Sequence, residues 1–324
     1  MTSVHAAPDP AELRDLAASA ARETGALLLH HAERGLRGLD TKSTATDMVS
    51  DADREAEELL ERLLMTARPD DALLGEEGAG RTGTTGLRWV VDPLDGTTNF
   101  VFGYPHWAVS VAVEDEHGVL AGAIYDPSRD ELFAAARGMG ATLNGKAIHT
   151  RATTELGQAL IGTGFSYNAQ RRAAQSIQVA SLIGQIRDIR RAGAAALDLA
   201  WVACGRIDGF WESDLNPWDW AAGSLLVLEA GGRWHCEPGP LGVDQTVAAC
   251  PGVFDELARL VASSNRRDRS NRQVVPDSSR IVSHIRAHWG LVAGRAAECR
   301  ASSLGRTTSC VSKTSISSRR SYAR

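Results

Sequence analysis

The segment Trp89-Val90-Val91-Asp92-Pro93-Leu94-Asp95-Gly96-Thr97-Thr98-Asn99-Phe100 changes character at its fourth residue, and that change decides how the chain is read. The apolar run 87–91 has the length and composition of a buried strand, and Asp92 and Asp95 follow it directly. Pro93 has no amide proton and biases Asp92 towards an extended conformation, so the strand is expected to end here and the chain to turn. Two carboxylates on one turn repel each other unless cations lie between them, and hard oxygen ligands of this kind suit Mg²⁺. Gly96, Thr97 and Thr98 have small side chains and free amides and are expected to open a helix, whose unpaired N–H groups can hold an anion. Metal and phosphate can therefore meet at one point.

An isolated turn of this kind is commonly just an acidic loop capped by threonine. This one has distant company. Glu76 follows Leu73-Leu74-Gly75, and Asp219 lies in Asn216-Pro217-Trp218-Asp219, ahead of an apolar helix expected over 221–230 and ended by Gly231-Gly232. Upstream, apolar residues at three- and four-residue steps predict helices over 10–36 and 53–67, separated by an exposed polar loop at 42–50. Downstream, strands at 107–113, 122–125 and 132–136 read as an antiparallel meander with turns at 115–118 and 143–146. Next come a strand (159–162), a helix (169–182), a strand (188–190) and a helix (194–204), with a last short helix at 254–261. The pattern predicts an α/β fold, specifically an α+β layered sandwich of alternating helix and sheet layers.

The chain has 324 residues, 43% of them apolar, enough for a sizeable core. Its net charge of −5 conceals a division. Through Ala262 there are 22 Lys and Arg against 37 Asp and Glu, whereas from Ser263 onward there are 13 basic residues against 3 acidic. The acidic body argues against a general nucleic-acid surface. The last 62 residues hold 14 Ser and have little periodicity outside 281–292. They are expected to be a disordered tail, residues 263–324, beyond a catalytic unit over 1–262. The tail reads either as an arm that touches nucleic acid or as a segment without function, and the abrupt loss of periodicity favours the second. Five cysteines without a C-x-x-C pair suggest neither zinc nor disulfides, and no apolar run approaches a membrane span, so a cytoplasmic location is expected. His30, His31, His106 and His149 form no ligand spacing, and the tryptophans sit in apolar contexts that suit a core or an interface.

The stretch from Trp89 to Phe100 resembles the first signature of the inositol monophosphatase family, and Trp218-Asp219-Trp220-Ala221-Ala222-Gly223 resembles its second. Gly75-Glu76-Glu77, Lys42-Ser43 and Arg191-Ala192-Gly193-Ala194-Ala195-Ala196-Leu197-Asp198 match in order and spacing, so the resemblance covers about residues 11–262. It implies a homodimer of the sugar-phosphatase type that uses two or three Mg²⁺ ions. Glu76, Asp92 and the Leu94 carbonyl would hold one ion, and Asp92, Asp95 and Asp219 a second, with Asp92 bridging. Glu76 and Thr97, with Asp53 behind Thr97, would orient and deprotonate water, while the Gly96 and Thr97 amides bind the phosphoryl oxygens. The alcohol would meet Gly193, Ala195, Glu212 and the second carboxylate oxygen of Asp95, and Lys42 would approach the phosphate from a flap. Read without the resemblance, Glu212 is equally a surface residue beside Phe210 and Trp211.

Two departures bear on the alcohol side. Ala194 removes a hydroxyl that bacterial members often carry, and Asp214 stands where the family commonly has Gly, adding a carboxylate that could repel a bisphosphate. The resemblance implies inositol monophosphate as first substrate. Histidinol phosphate, fructose 1,6-bisphosphate and a 3′-phosphoadenosine nucleotide remain alternatives. So does a regulatory protein that binds the transcription machinery.

Overall fold

The computed structural model describes residues 9–34, 40–41 and 48–263. Helices α1 (Pro10–Arg34) and α2 (Asp51–Ala67) flank a short antiparallel pair, β1 (Asp40–Thr41) and β2 (Met48–Val49). There follow β3 (Ala72–Gly75), β4 (Gly80–Arg81), β5 (Arg88–Asp95), α3 (Thr97–Val101), β6 (Ala108–Asp115), β7 (Gly118–Asp126), β8 (Glu131–Ala136), β9 (Ala141–Leu143) and β10 (Lys146–Ala147). These strands make an eight-stranded sheet in the order β10-β9-β8-β7-β6-β5-β3-β4. The rest of the chain supplies β11 (Leu160–Thr163), α4 (Ala169–Leu182), β12 (Asp188–Arg190), α5 (Ala195–Ala203), β13 (Gly209–Ser213), α6 (Pro217–Glu229), β14 (Arg233–Pro238), β15 (Asp244–Ala249) and α7 (Pro251–Ser263). Its strands form a five-stranded sheet, β12-β11-β13-β15-β14.

The period of two along each strand divides the core into layers. Trp89 and Val91 of β5 face Leu13 and Leu28 of α1 and Leu60 and Leu64 of α2. Val90, between them, faces Leu197 and Leu199 of α5 and Ala222 and Leu226 of α6. Phe210 of β13 and Ala248 of β15 close on those same helices from the second sheet, so α5 and α6 are covered on both sides and are apolar nearly all round. Trp211 and Val247 point the other way, to Leu182 of α4 and Leu257 of α7. Helix, sheet, helix, sheet and helix layers therefore alternate, as expected of a layered α/β sandwich. Each buried Leu or Val in these interiors contributes roughly 1.5–3 kcal/mol. Close approach matters as much: a Cβ on Gly223 of α6 would stand 2.6 Å from Leu199 Cβ, so α5 and α6 meet where one of them has no side chain.

Three expectations are corrected. Strand β5 does not end before the acidic turn: Asp92 still pairs with Ser110 and Asp95 with Ala108, with a shift of register between them. Pro93 is tolerated because it sits in that irregularity, where a ladder donor is not needed. Helix α6 starts at Pro217 and not at Ala221, with Asn216 as N-cap and Asp219 closing a capping box. Strands β13, β14 and β15 occur where no strand was expected. Lys42 and the tail from residue 264 to 324, including the more periodic stretch 281–292, lie outside the described residues.

Candidate active site

The irregularity in β5 aims its two carboxylates. Asp92 Oδ1 accepts the Leu94 amide at 2.9 Å, closing a tight local turn around Pro93. Gly96 then takes φ 89° and ψ 35°, turning the strand into α3. A Cβ at Gly96 would stand 3.0 Å from the His106 carbonyl and 3.2 Å from Ala194 Cβ, so only glycine fits. Strand β3 runs parallel to β5 with Gly75 opposite Val91, which brings Glu76 alongside the start of the acidic segment. Glu57 of α2 braces that connection by accepting the Glu77 and Ala79 amides at 2.8 and 3.2 Å. Asp219, in the first turn of α6, accepts the Asn216 amide at 2.7 Å.

Thr97 Oγ1 lies 3.0 Å from Asp53 Oδ1 and 3.1 Å from the Leu94 carbonyl, and can donate to one of them at a time. Asp53 is itself fixed, because its Oδ2 accepts the Ser50 amide at 2.8 Å and the Ser50 hydroxyl at 2.5 Å. This capping box at the head of α2 holds a buried carboxylate behind the threonine.

The other side of the site comes from the second half of the chain. Asp95 Oδ2 accepts the Ala196 amide at 2.8 Å, so one of its two carboxylate oxygens is engaged by the first turn of α5. Asn99 Nδ2 reaches the His106, Ala192 and Gly193 carbonyls at 2.7, 2.9 and 3.3 Å, tying α3 to the glycine turn before α5. Glu212 projects from β13, and Gly164 makes room for it, since a Cβ there would stand 2.0 Å from Glu212 Oε2. Glu76, Asp95, Gly96, Gly193, Ala195, Glu212 and Asp219 line one cavity of about 580 Å³.

Like charge dominates this cavity. Burial, then the charges of Glu76, Asp95 and Asp219, raise the Asp92 carboxyl well above its ordinary range. The Glu76 side chain also lies within hydrogen-bonding reach of Asp92, which adds to the rise. Asp219 is raised by burial and by Glu76 and Asp95. Asp95 reaches about 7, burial outweighing the α5 amides that favour its charged form. Glu212 is pushed up to about 8 by burial, against the pull of Arg191. Among the described residues no three His, Cys, Asp or Glu side chains close on a common point as a ready cage. The donor chemistry nevertheless fits a divalent cation: oxygen ligands only, mutually repelling, each paying for burial that a positive charge would offset.

Residues 9–272 match the profile of the inositol monophosphatase family. The chain belongs to that family. Similarity to the inositol-1-monophosphatase of Rhizobium meliloti reaches 48% identity over 188 residues, 57% of this chain and 71% of that protein. The Nus factor SuhB of Xylella fastidiosa is 44% identical over 264 residues, 80% of this chain and 92% of that protein. The crystal structure of the extragenic suppressor protein SuhB from Bartonella henselae superposes with a TM-score of 0.72 at 37% identity, over 77% of this chain and 98% of that one. As an inositol monophosphatase family member the protein is a phosphoric monoester hydrolase.

Four residues that shape this family site were not singled out from sequence. Ser50 and Glu57 hold Asp53 and the Glu76 loop, Asn99 clasps the Gly193 turn, and Arg171 lines the cavity. Ser50 had a legible signal, a serine three residues ahead of an aspartate at a helix start. Glu57, Asn99 and Arg171 act on partners 20, 93 and 43 residues away, which no local pattern announces.

Proposed function

We propose that this protein is a Mg²⁺-dependent phosphatase for a small phosphorylated polyol, with inositol monophosphate as first substrate. The observation that supports this most is the meeting of Glu76, Asp92, Asp95 and Asp219 beside the Thr97–Asp53 pair. Glu76, Asp92 and the Leu94 carbonyl would hold one Mg²⁺, and Asp92, Asp95 and Asp219 a second. When bound, Mg²⁺ lowers the pKa of water and offsets charge on the phosphate and the leaving oxygen. The protein's own groups do the rest. Asp53 fixes the Thr97 hydroxyl, so Thr97 and Glu76 can orient the attacking water and Glu76 can take its proton. The Gly96 and Thr97 amides suit the phosphoryl oxygens as charge grows on them. Glu212, Gly193 and Ala195 sit on the alcohol side, and Lys42 would approach from the flap.

Phosphate release with Mg²⁺ from inositol monophosphate, histidinol phosphate, fructose 1,6-bisphosphate and a 3′-phosphoadenosine nucleotide tests this reading. Turnover with inositol monophosphate preferred is the expected result. Folded protein that releases phosphate from none of the four overturns it.

Similarity to a Nus factor favours a second reading, a regulatory protein that binds the transcription machinery. Asp92→Asn separates the two, because it should end hydrolysis while leaving a binding role intact. We further place the protein in the cytoplasm as a homodimer; among the described residues no helix is long and apolar enough to cross a membrane. The catalytic unit is proposed to be residues 1–262, so truncation of 263–324 should preserve turnover.

A further inference from the structure

The backbone at Asp214 has φ 74°, a left-handed conformation that residues with a Cβ rarely adopt. The side chain that occupies this position is firmly engaged. Its Oδ2 accepts from Arg171 Nη1 and lies 3.3 Å from the Ser166 hydroxyl. Arg171 belongs to the first turn of α4, where Asn168 Oδ1 accepts its amide at 3.1 Å. The pair therefore bolts the connection between β11 and α4 to the connection between β13 and α6. Both residues line the catalytic cavity, on the side that carries Glu212. Arg171 is 49% exposed and Asp214 27%, so each can be reached by whatever enters. The other arginine of the cavity is already committed: Arg191 lies over the Phe165 ring at 5.8 Å, and its charge acts on Glu212 and Asp198.

We propose that the Arg171–Asp214 pair sets substrate choice by cancelling two charges on the alcohol wall of the site. Paired, the two residues add no net charge to the wall, which accepts a hydroxyl-bearing ring without attracting a second phosphate. Each residue left alone retunes the wall in the opposite sense. The inference rests on the phosphatase reading above and adds a specificity element to it.

The test measures kcat and KM with Mg²⁺ for an inositol monophosphate and for fructose 1,6-bisphosphate. The variants are Asp214→Asn, Arg171→Gln and the double variant. Asn tolerates the left-handed backbone, so the first removes charge without new strain. Asp214→Asn frees Arg171 and should lower KM for the bisphosphate relative to the monophosphate by about two- to fivefold, the scale of a partly exposed ion pair. Arg171→Gln bares Asp214 and should raise that ratio by a similar factor. The double variant, neutral again, should return it towards wild type. A merely structural bolt would move the ratio the same way in both single variants, and that result, or no movement, overturns the proposal. If wild type releases phosphate from none of the four compounds named above, the phosphatase reading falls and this proposal with it; if it turns over one of the other two but neither of these, the proposal alone falls. Turnover with an unmoved ratio overturns the specificity role alone.

Discussion

Thr97 and Asp53 meet at 3.0 Å across 44 residues of chain, one from the first turn of α3 and the other from the first turn of α2. The carboxylate is committed on its far side to Ser50, so its near oxygen has a fixed position and direction. A threonine hydroxyl that donates to such an oxygen presents a lone pair to anything beside it. In the proposed mechanism that neighbour is the attacking water. Thr97→Val should therefore lower kcat by about 10²- to 10⁴-fold with little change in KM, as expected when a proton relay is removed. Thr97→Ser keeps the hydroxyl and should retain most activity. Steady-state kinetics of the two variants provide the measurement, and equal losses would remove Thr97 from the relay.

Asp92 is held in an unfavourable field by Glu76, Asp95 and Asp219. If Mg²⁺ relieves that field, it must bind the folded protein better than the unfolded one and raise its melting temperature. At a concentration of about 100 Kd the gain is roughly 2.7 kcal/mol, or on the order of 5–10 °C for a chain of this size. Asp92→Asn should abolish the Mg²⁺-dependent shift and phosphate release together. Without metal the variant should melt at or above wild type, because one repelling carboxylate has gone. Thermal unfolding with Mg²⁺ and with chelator reads both effects.

Glu212 offers a pH dependence whose sign can be worked out. Its ordinary value is 4.5, and in the folded protein burial and the charges of Asp95 and Asp214, opposed by Arg191, bring it to about 8. Between these values the folded chain keeps a proton that the unfolded chain releases. The stability it contributes is therefore complete below pH 4.5 and is lost as pH rises through about 8. Denaturant titrations of the metal-free protein across that interval should show stability falling with pH. Glu212→Gln, which cannot release the proton, should flatten the curve.

The carboxylates of the proposed metal site are easier to read from sequence than the residues of the proposed alcohol side, for a physical reason. Asp92, Asp95, Gly96 and Thr97 work through one local turn, and the residues that make a turn must be neighbours in the chain. Glu76 and Asp219 were legible as carboxylates at the ends of apolar runs. Asp219 was nevertheless placed before its helix, because the apolar stretch from Ala221 outweighed the Asn216-Pro217 start signal. The second sheet was only half visible. Strand β14, Arg233–Pro238, is an edge strand without a fully buried residue, and β13 is only five residues long. Because β13 went unseen, Glu212 had no defined direction and could be read as pocket or surface. The Arg171–Asp214 pair was only half legible: Asp214 stands where the resembled family commonly has Gly, as a positive φ favours, but its partner 43 residues away leaves no local pattern.

Gly164 completes the proposed alcohol side by lacking a side chain. It follows β11, and a Cβ there would stand 2.0 Å from Glu212 Oε2 and 2.2 Å from its carboxyl carbon. Gly164→Ala must therefore move Glu212, the backbone around it, or both. Overpacking of this kind costs roughly 1–3 kcal/mol of stability. If Glu212 accepts hydroxyls of the substrate, Gly164→Ala should also raise KM for a polyol phosphate more than it lowers kcat, since the proposed metal ligands and Thr97 lie on other elements. A double-mutant cycle tells displacement of Glu212 from general damage. In a Glu212→Ala background the carboxylate that the methyl group would strike is absent, so Gly164→Ala should then leave KM nearly unchanged. An undiminished KM effect in that background would show that Gly164 shapes the pocket independently of Glu212, and would withdraw the carboxylate from the alcohol side.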